Sequence, residues 1–272
     1  MSHVAVSTWS LHRSLGQPAP YGPERVGALG ASPTHPAQFS LLELPAHIAA
    51  AGLHSLDLCH FHLPVCDDGY LAELRTALKR AGVTLWTLLV DAGDITHPAN
   101  GGRDREWISR WVPHAGALGA TTIRVIAGKS QPNAQTLQAS LHGLRSLATL
   151  AKTHGVRLII ENWFSTTSRP EQVFWLLEQM DGQLGLKLDF GNWSGATKYQ
   201  DLASIAPFAE SCHAKAQFNG PYKIDDVDFE RCLEITRAAG FDGPYTLIYD
   251  DPAGMDEWRG LQIEKEIVER HL

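Results

Sequence analysis

Thr153-His154-Gly155-Val156-Arg157-Leu158-Ile159-Ile160-Glu161 holds the phrase on which the fold turns: a helix end, a glycine, a short branched run, then an acid. Glycine just past a helix permits the left-handed cap, and the run that follows is too short and too apolar for an exposed helix. It reads as a buried strand. The phrase recurs at Ala50-Ala51-Gly52-Leu53, Arg80-Ala81-Gly82-Val83 and Ala117-Leu118-Gly119-Ala120, then at Gln183-Leu184-Gly185-Leu186 and Ala239-Gly240-Phe241. Helix, cap and buried strand in alternation describe βα units on a parallel sheet. Candidate strands fall at about 4–9, 54–60, 83–90, 121–127, 156–161, 185–189, 211–215 and 244–249. Helical patterns lie between them: Leu137, Leu141, Leu144, Ala148 and Ala151 share one face, and Pro45 suits the first turn of a helix. The expectation is an α/β chain forming a single (β/α)8 TIM barrel over residues 1–272, with a doubly wound sheet as runner-up.

Composition narrows the function. The 272 residues are 44% hydrophobic, enough for a sizeable core, and carry a formal net charge of -7. An acidic chain without a basic run lacks the face that duplex phosphates require, so no nucleic-acid partner is expected. Cys59, Cys66, Cys212 and Cys232 have no CxxC spacing, which argues against a disulfide framework or thiolate zinc site. The start, Met1-Ser2-His3-Val4-Ala5-Val6, lacks a charged head and long apolar segment, and no stretch is long enough to span a membrane. A soluble, cytoplasmic protein without a membrane partner is the expectation, and a homo-oligomer is compatible with it. The Gly-, Pro- and Ala-rich segment from about Leu15 to Gln38 reads either as a catalytic-face lid or as an irregular surface loop.

Three of the apolar runs stop at potential metal ligands: Glu161 after Ile160, Asp189 after Leu188, and His213 after Cys212. Each is about one βα unit from the next, so all three can stand at one height at the barrel mouth. Two carboxylates and an imidazole without thiolate suit one divalent metal ion, Mn²⁺, Mg²⁺, Co²⁺ or Zn²⁺, without choosing among them. The competing reading has the acids capping turns and His213 packing at the rim. Lys187 alternates with Leu188 and so points inward with Asp189. A buried ammonium needs a partner, and Glu161 on the neighbouring strand is the expected one; a structural pair beneath the metal ranks ahead of proton transfer. Substrate-binding candidates at the same mouth are Trp9, His60, His62, Asp91, Trp163, Asn192 and Lys215, with His12 and Trp193 as further wall residues. Each aromatic or histidine could equally be rim packing, and Asp91 a helix cap.

Ile160-Glu161-Asn162, Gly185-Leu186-Lys187-Leu188-Asp189-Phe190-Gly191-Asn192, Cys212-His213-Ala214-Lys215 and Gly240-Phe241-Asp242-Gly243-Pro244 carry a resemblance in order along the chain. It resembles the xylose isomerase-like TIM barrels, most of all the group labelled sugar phosphate isomerase/epimerase. The resemblance implies a metal-dependent isomerase or epimerase acting on a small sugar or keto-polyol, with a base removing a proton beside a carbonyl to give an enediolate. Glu161 is the implied ligand and base. Two positions depart from the pattern. Asn192 stands where the family usually has His, and Thr246-Leu247-Ile248-Tyr249 lacks the usual strand-eight Glu. Asp250 is the nearest substitute, either a fourth ligand and second base or a turn residue in Asp250-Asp251-Pro252, with water filling the ligand place. A dehydratase of the same substrates is the first alternative. A DNA-repair endonuclease and a non-catalytic sugar-binding barrel rank below it.

Overall fold

The computed structural model describes every residue except Val26 and Pro252. Eight parallel strands close in sequence order into a barrel: β1 (His3–Ser7), β2 (Ser55–Cys59), β3 (Thr84–Leu89), β4 (Thr122–Arg124), β5 (Arg157–Glu161), β6 (Gly185–Asp189), β7 (Ala209–Ala214) and β8 (Pro244–Leu247). β8 returns to β1 with Pro244 opposite His3, which rules out the open doubly wound sheet. Helices α1 (Leu44–Ala50), α2 (Asp68–Ala81), α3 (Gly101–Ser109), α4 (Trp111–Leu118) and α5 (Ala134–Thr153) fill the first four crossovers. α6 (Pro170–Gln179), α7 (Lys198–Ile205), α8 (Asp226–Ala238) and α9 (Glu257–Glu269) complete the ring. Pro45 sits in the first turn of α1, as its fixed φ allows.

The strand expectations hold to within a few residues, and two differences have local causes. β1 stops at Ser7 because its hydroxyl accepts the Trp9 backbone N–H and starts a 3-10 turn over Thr8–Leu11. That turn swings Trp9 out over the barrel mouth. Five of the expected cap glycines have positive φ: Gly52, Gly82, Gly119, Gly155 and Gly240. Gly185 does not. It lies inside β6, where a Cβ would come within 2.6 Å of the Glu210 carboxylate held by Arg157, and the left-handed turn falls earlier, at Gly182. The segment from Leu15 to Gln38, apart from the undescribed Val26, is an irregular loop anchored by Tyr21, whose carbonyl meets His60 Nε2 and whose ring packs on Trp107 and Trp111.

Strand alternation sends Leu186 and Leu188 outward into the main apolar core, while Lys187 points into the barrel. Its partner there is not Glu161. Lys187 Nζ bonds Asp57 Oδ2 of β2 at 2.5 Å, with both side chains completely buried. The adjacent-strand pairing expected from the sequence gives way to one that crosses the barrel. Burial alone would raise the Asp57 pKa, but Lys187 and then His213 hold it below the usual carboxylate range. Removing one member leaves an uncompensated buried charge. Lys187→Met is expected to destabilise the protein by about 3–5 kcal/mol in urea unfolding. The double variant Asp57→Leu/Lys187→Met should recover most of that loss.

A second polar group is buried without such compensation. α9 packs on β1 and β8 so closely that a Cβ on Gly260 would lie 2.1 Å from the Tyr249 ring. Glu264 shares that inner face, and neither carboxylate oxygen has a hydrogen-bond partner among the described residues. Burial, then the Asp250 charge, push its pKa well above the ordinary value. For an acid this penalty grows as pH rises above the unfolded pKa of about 4.3. Glu264→Met should therefore stabilise the protein by about 1–3 kcal/mol at neutral pH. Denaturation at pH 4 and 7 should show the smaller gain at pH 4.

Candidate metal and substrate site

Glu161, Asp189 and His213 end β5, β6 and β7, and one ligand atom from each lies within 4.8 Å of the others. The register pairs Asp189 with His213, and Glu161 with Lys187, two residues before Asp189. Asn162 locks the two acidic strand ends together: its amide oxygen accepts the Asp189 N–H at 2.7 Å, and its Nδ2 donates to the Asp189 carbonyl at 3.0 Å. Asp189 Oδ1 accepts the backbone N–H groups of Gly191 and Asn192, both at 2.7 Å. Its Oδ2 is left facing His213 Nδ1, 3.6 Å away. Glu161 Oε1 accepts the Asn192 Nδ2–H at 2.7 Å and lies 3.3 Å from His213 Nδ1.

The far side of the imidazole meets Asp57, whose Oδ2 is 3.4 Å from His213 Nε2. This carboxylate–histidine arrangement turns Nδ1 toward the two acids and is the support that metal-bound histidines commonly have. Burial would depress the His213 pKa, but the Glu161 charge and then the nearby Asp189 and Asp57 carboxylates raise it to about 9. Burial would raise Glu161, yet Arg124 and His213 bring it down to about 2.

Arg124 is the functional residue that the sequence reading missed. Its guanidinium is almost fully buried, bonds Asp91 Oδ1 at 2.5 Å and stands 3.0 Å from Glu161 Oε2. That second contact is poorly aligned: neither Arg124 Nε nor Glu161 Oε2 has a partner meeting hydrogen-bond geometry. Trp163 covers the guanidinium at 5.0 Å. The signal was present, since a charge inside Thr122-Ile123-Arg124-Val125-Ile126 is as costly as Lys187 in β6. Asp57, inside Leu56-Asp57-Leu58, gave the same signal.

These groups line a small cavity of about 140 Å³. Of the expected residues, Trp9, Asp91, Trp163, Asn192 and Lys215 join Glu161, Asp189 and His213 in its wall. Four others do not. His60 is buried behind the wall, between the Tyr21 carbonyl and the Asp91 N–H. His62 is consumed by Thr8 and His12, each at 2.9 Å. Lys187 lies beneath the cavity on Asp57. Asp250 is half-exposed, pairs with Lys215 at 3.0 Å and faces a neighbouring cleft with His12. Ile248, not a carboxylate, occupies the β8 part of the wall. Trp193 is buried elsewhere, its indole N–H donating to the Thr167 carbonyl. Pro252, the last residue of the expected turn, lies outside the described residues.

The donor set suits a divalent cation. Asp57 is neutralised by Lys187, whereas Asp91, Glu161 and Asp189 share the single charge of Arg124. Two negative charges remain in a buried pocket, at the point where Glu161 Oε1 and Asp189 Oδ2 face His213 Nδ1. A lone divalent ion balances them, with His213 neutral. Among the described residues no second group of three potential ligands occurs, which disfavours the multi-metal endonuclease reading.

The xylose isomerase-like TIM barrel family model matches residues 45–267. No curated protein matches the chain in sequence. Solved structures do match in fold. A xylose isomerase-like TIM barrel protein from Mycobacterium smegmatis in complex with magnesium is 15% identical over 97% of both chains, with a TM-score of 0.68. A D-psicose 3-epimerase from Clostridium cellulolyticum with D-tagatose is 14% identical over 85% of this chain and 90% of its own, with a TM-score of 0.63. A 3-keto-D-glucoside 4-epimerase from E. coli is 16% identical over 85% and 94%, also with a TM-score of 0.63.

The raised His213 and lowered Glu161 pKa values define a pH window for chelator-stripped protein. The His213 contribution is complete below its unfolded value of about 6.5 and is lost as pH rises through about 9. The Glu161 contribution is complete above about 4.3 and is lost as pH falls toward about 2. Stripped protein should be most stable between about pH 4.5 and 6.5 and lose on the order of 3 kcal/mol by pH 9. Urea midpoints across that range check this, and His213→Gln should flatten the alkaline limb.

Proposed function

The chain belongs to the xylose isomerase-like TIM barrel family, and from that premise we propose that it is a divalent-metal-dependent isomerase or epimerase of a small sugar or keto-polyol. The observation that carries this reading is the convergence of Glu161, Asp189 and His213 at a cavity walled by Trp9 and Trp163. Several of the similar structures are sugar epimerases, which supports the general class. Tryptophan faces suit the apolar faces of sugar rings.

A bound divalent ion would supply Lewis-acid polarisation of a substrate carbonyl and the adjacent hydroxyl. Glu161, Asp189 and His213 Nδ1 would hold it. Glu161 is also the base candidate. Its Oε1 is oriented by Asn192, and Arg124 and His213 keep it ionised at neutral pH, ready to accept the proton beside the carbonyl. Return of that proton to the adjacent carbon, with the hydroxyl proton passing to the former carbonyl oxygen, interconverts aldose and ketose. Delivery to the opposite face of the same carbon epimerises. Lys215 and Arg124 are the wall groups able to donate to substrate oxygens.

Ile248 favours a second reading. With an apolar residue on the β8 side, Glu161 is the one carboxylate acting on the reacting carbon, and single-base chemistry includes expulsion of a β-hydroxyl. Solvent deuterium distinguishes the two: incorporation without loss of water supports isomerisation, whereas an enone-like product supports the dehydratase.

Purified protein should hold about one divalent ion per chain, with Glu161→Gln and Asp189→Asn both losing it in elemental analysis. Glu161→Gln should also lower turnover by at least about 10²-fold. Variants that bind Mn²⁺ as tightly as the unaltered protein would sink the mechanism.

A further inference from the structure

We propose that the substrate is an uncharged sugar or keto-polyol, and that sugar phosphates and sugar acids are excluded by the charge built into the barrel mouth. This rests on the reading of the cavity as a sugar site. Two independent features carry it.

The first is the charge balance. The main cavity adjoins one cleft through Trp9 and another through Asp91. Together their walls hold nine carboxylates against five lysine and arginine groups, four negative charges in excess with histidines neutral. A divalent ion would halve that excess and not reverse it. The cations are also engaged. Arg13 pairs with Glu257, Arg103 with Asp104 and Glu24, Arg124 with Asp91 and Glu161, and Lys215 with Asp250. Lys129 is the exception, and it lies over the Phe164 ring beside Asp94 and Asp104. A dianionic ester would have to break one of these pairs or enter a mouth of its own sign, and like-charge juxtaposition at an interface costs several kcal/mol.

The second is the occupation of the usual phosphate position. TIM barrels take phosphate mainly at the loops after β7 and β8, using helix N-terminal N–H groups. Here the chain's own acids fill both ends. Asp225 caps α8 by accepting the Asp228 N–H, with Asp226 and Asp228 in the first turn. Asp256 caps α9 by accepting the Arg259 N–H, with Glu257 next to it. The loop into α9 adds Asp250 and Asp251. At each helix start a carboxylate already takes one of the free N–H groups, and the neighbouring acids add charge of the same sign as a phosphate.

The test compares matched pairs on the Mn²⁺-loaded protein by titration calorimetry at low salt: D-fructose with its 6-phosphate, D-tagatose with its 6-phosphate, and ribulose with its 5-phosphate. The free ketose of at least one pair should bind, with its phosphate weaker by about tenfold or more. Glu24→Lys reverses one mouth charge outside the main cavity; it should strengthen phosphate-ester binding several-fold and leave free-ketose affinity as it was. A phosphate bound as tightly as its free ketose, or more tightly, overturns the inference while leaving the sugar reading intact. Failure of every free ketose and every phosphate to bind a protein that holds its Mn²⁺ removes the sugar reading, and this inference with it.

Discussion

The Lys187–Asp57 pair is the constraint from which the site is built. A lysine completely buried inside a barrel is tolerated only with a counter-charge at hydrogen-bond distance, and Asp57 supplies it across the barrel from β2. Asp57 then faces the His213 Nε2 edge, so the same oxygen that neutralises Lys187 also sets the imidazole's orientation. His213 Nδ1 is thereby turned toward Glu161 and Asp189. One buried pair thus ties β2, β6 and β7 together beneath the cavity and aims the ligand group above it.

A second ionic tier lies over the first. Arg124 is clamped between Asp91 and Glu161 and covered by Trp163, which joins the ends of β3, β4 and β5. The tiers differ in balance. The lower one is neutral, while the upper one, once Asp189 is counted, keeps two uncompensated negative charges whenever His213 is neutral. Low dielectric makes such an excess expensive unless a cation enters. The same step supports the metal and limits the substrate, since a site completed by one divalent ion has little charge left for an anionic ligand.

The fold was legible because its cause is local. Glycine caps and short branched runs report each βα unit separately, and eight such units have few ways to close. The convergence of Glu161, Asp189 and His213 was legible for the same reason, each standing at or one place before the end of its own strand. Partners across the barrel were not. Alternation says that Lys187 points inward but not which strand it meets, so Glu161 was expected where Asp57 is found. Asp57 and Arg124 stood as charges within apolar runs, a signal of a buried partner without its address. Gly185 shows the limit of the cap motif: the glycine is required by the Glu210 carboxylate against its backbone, not by a left-handed turn.

The departures from the family's ligand pattern act together. Asn192, where the resemblance leads one to expect an imidazole, donates to Glu161 Oε1, a neutral contact that orients the proposed base without competing for a proton near neutral pH. Ile248 replaces an acid with a hydrocarbon wall, and Asp250 turns away to Lys215. On the proposed reading Glu161 on β5 is the base, Asp91, Asp189 and Lys215 stand elsewhere in the wall, and the β8 side offers no acid or base. A proton taken by Glu161 is most simply returned from the same side, because the β8 wall offers none. Transfer between neighbouring carbons on one face, or loss of a leaving group after proton removal, follows more directly from this wall than inversion at a single carbon.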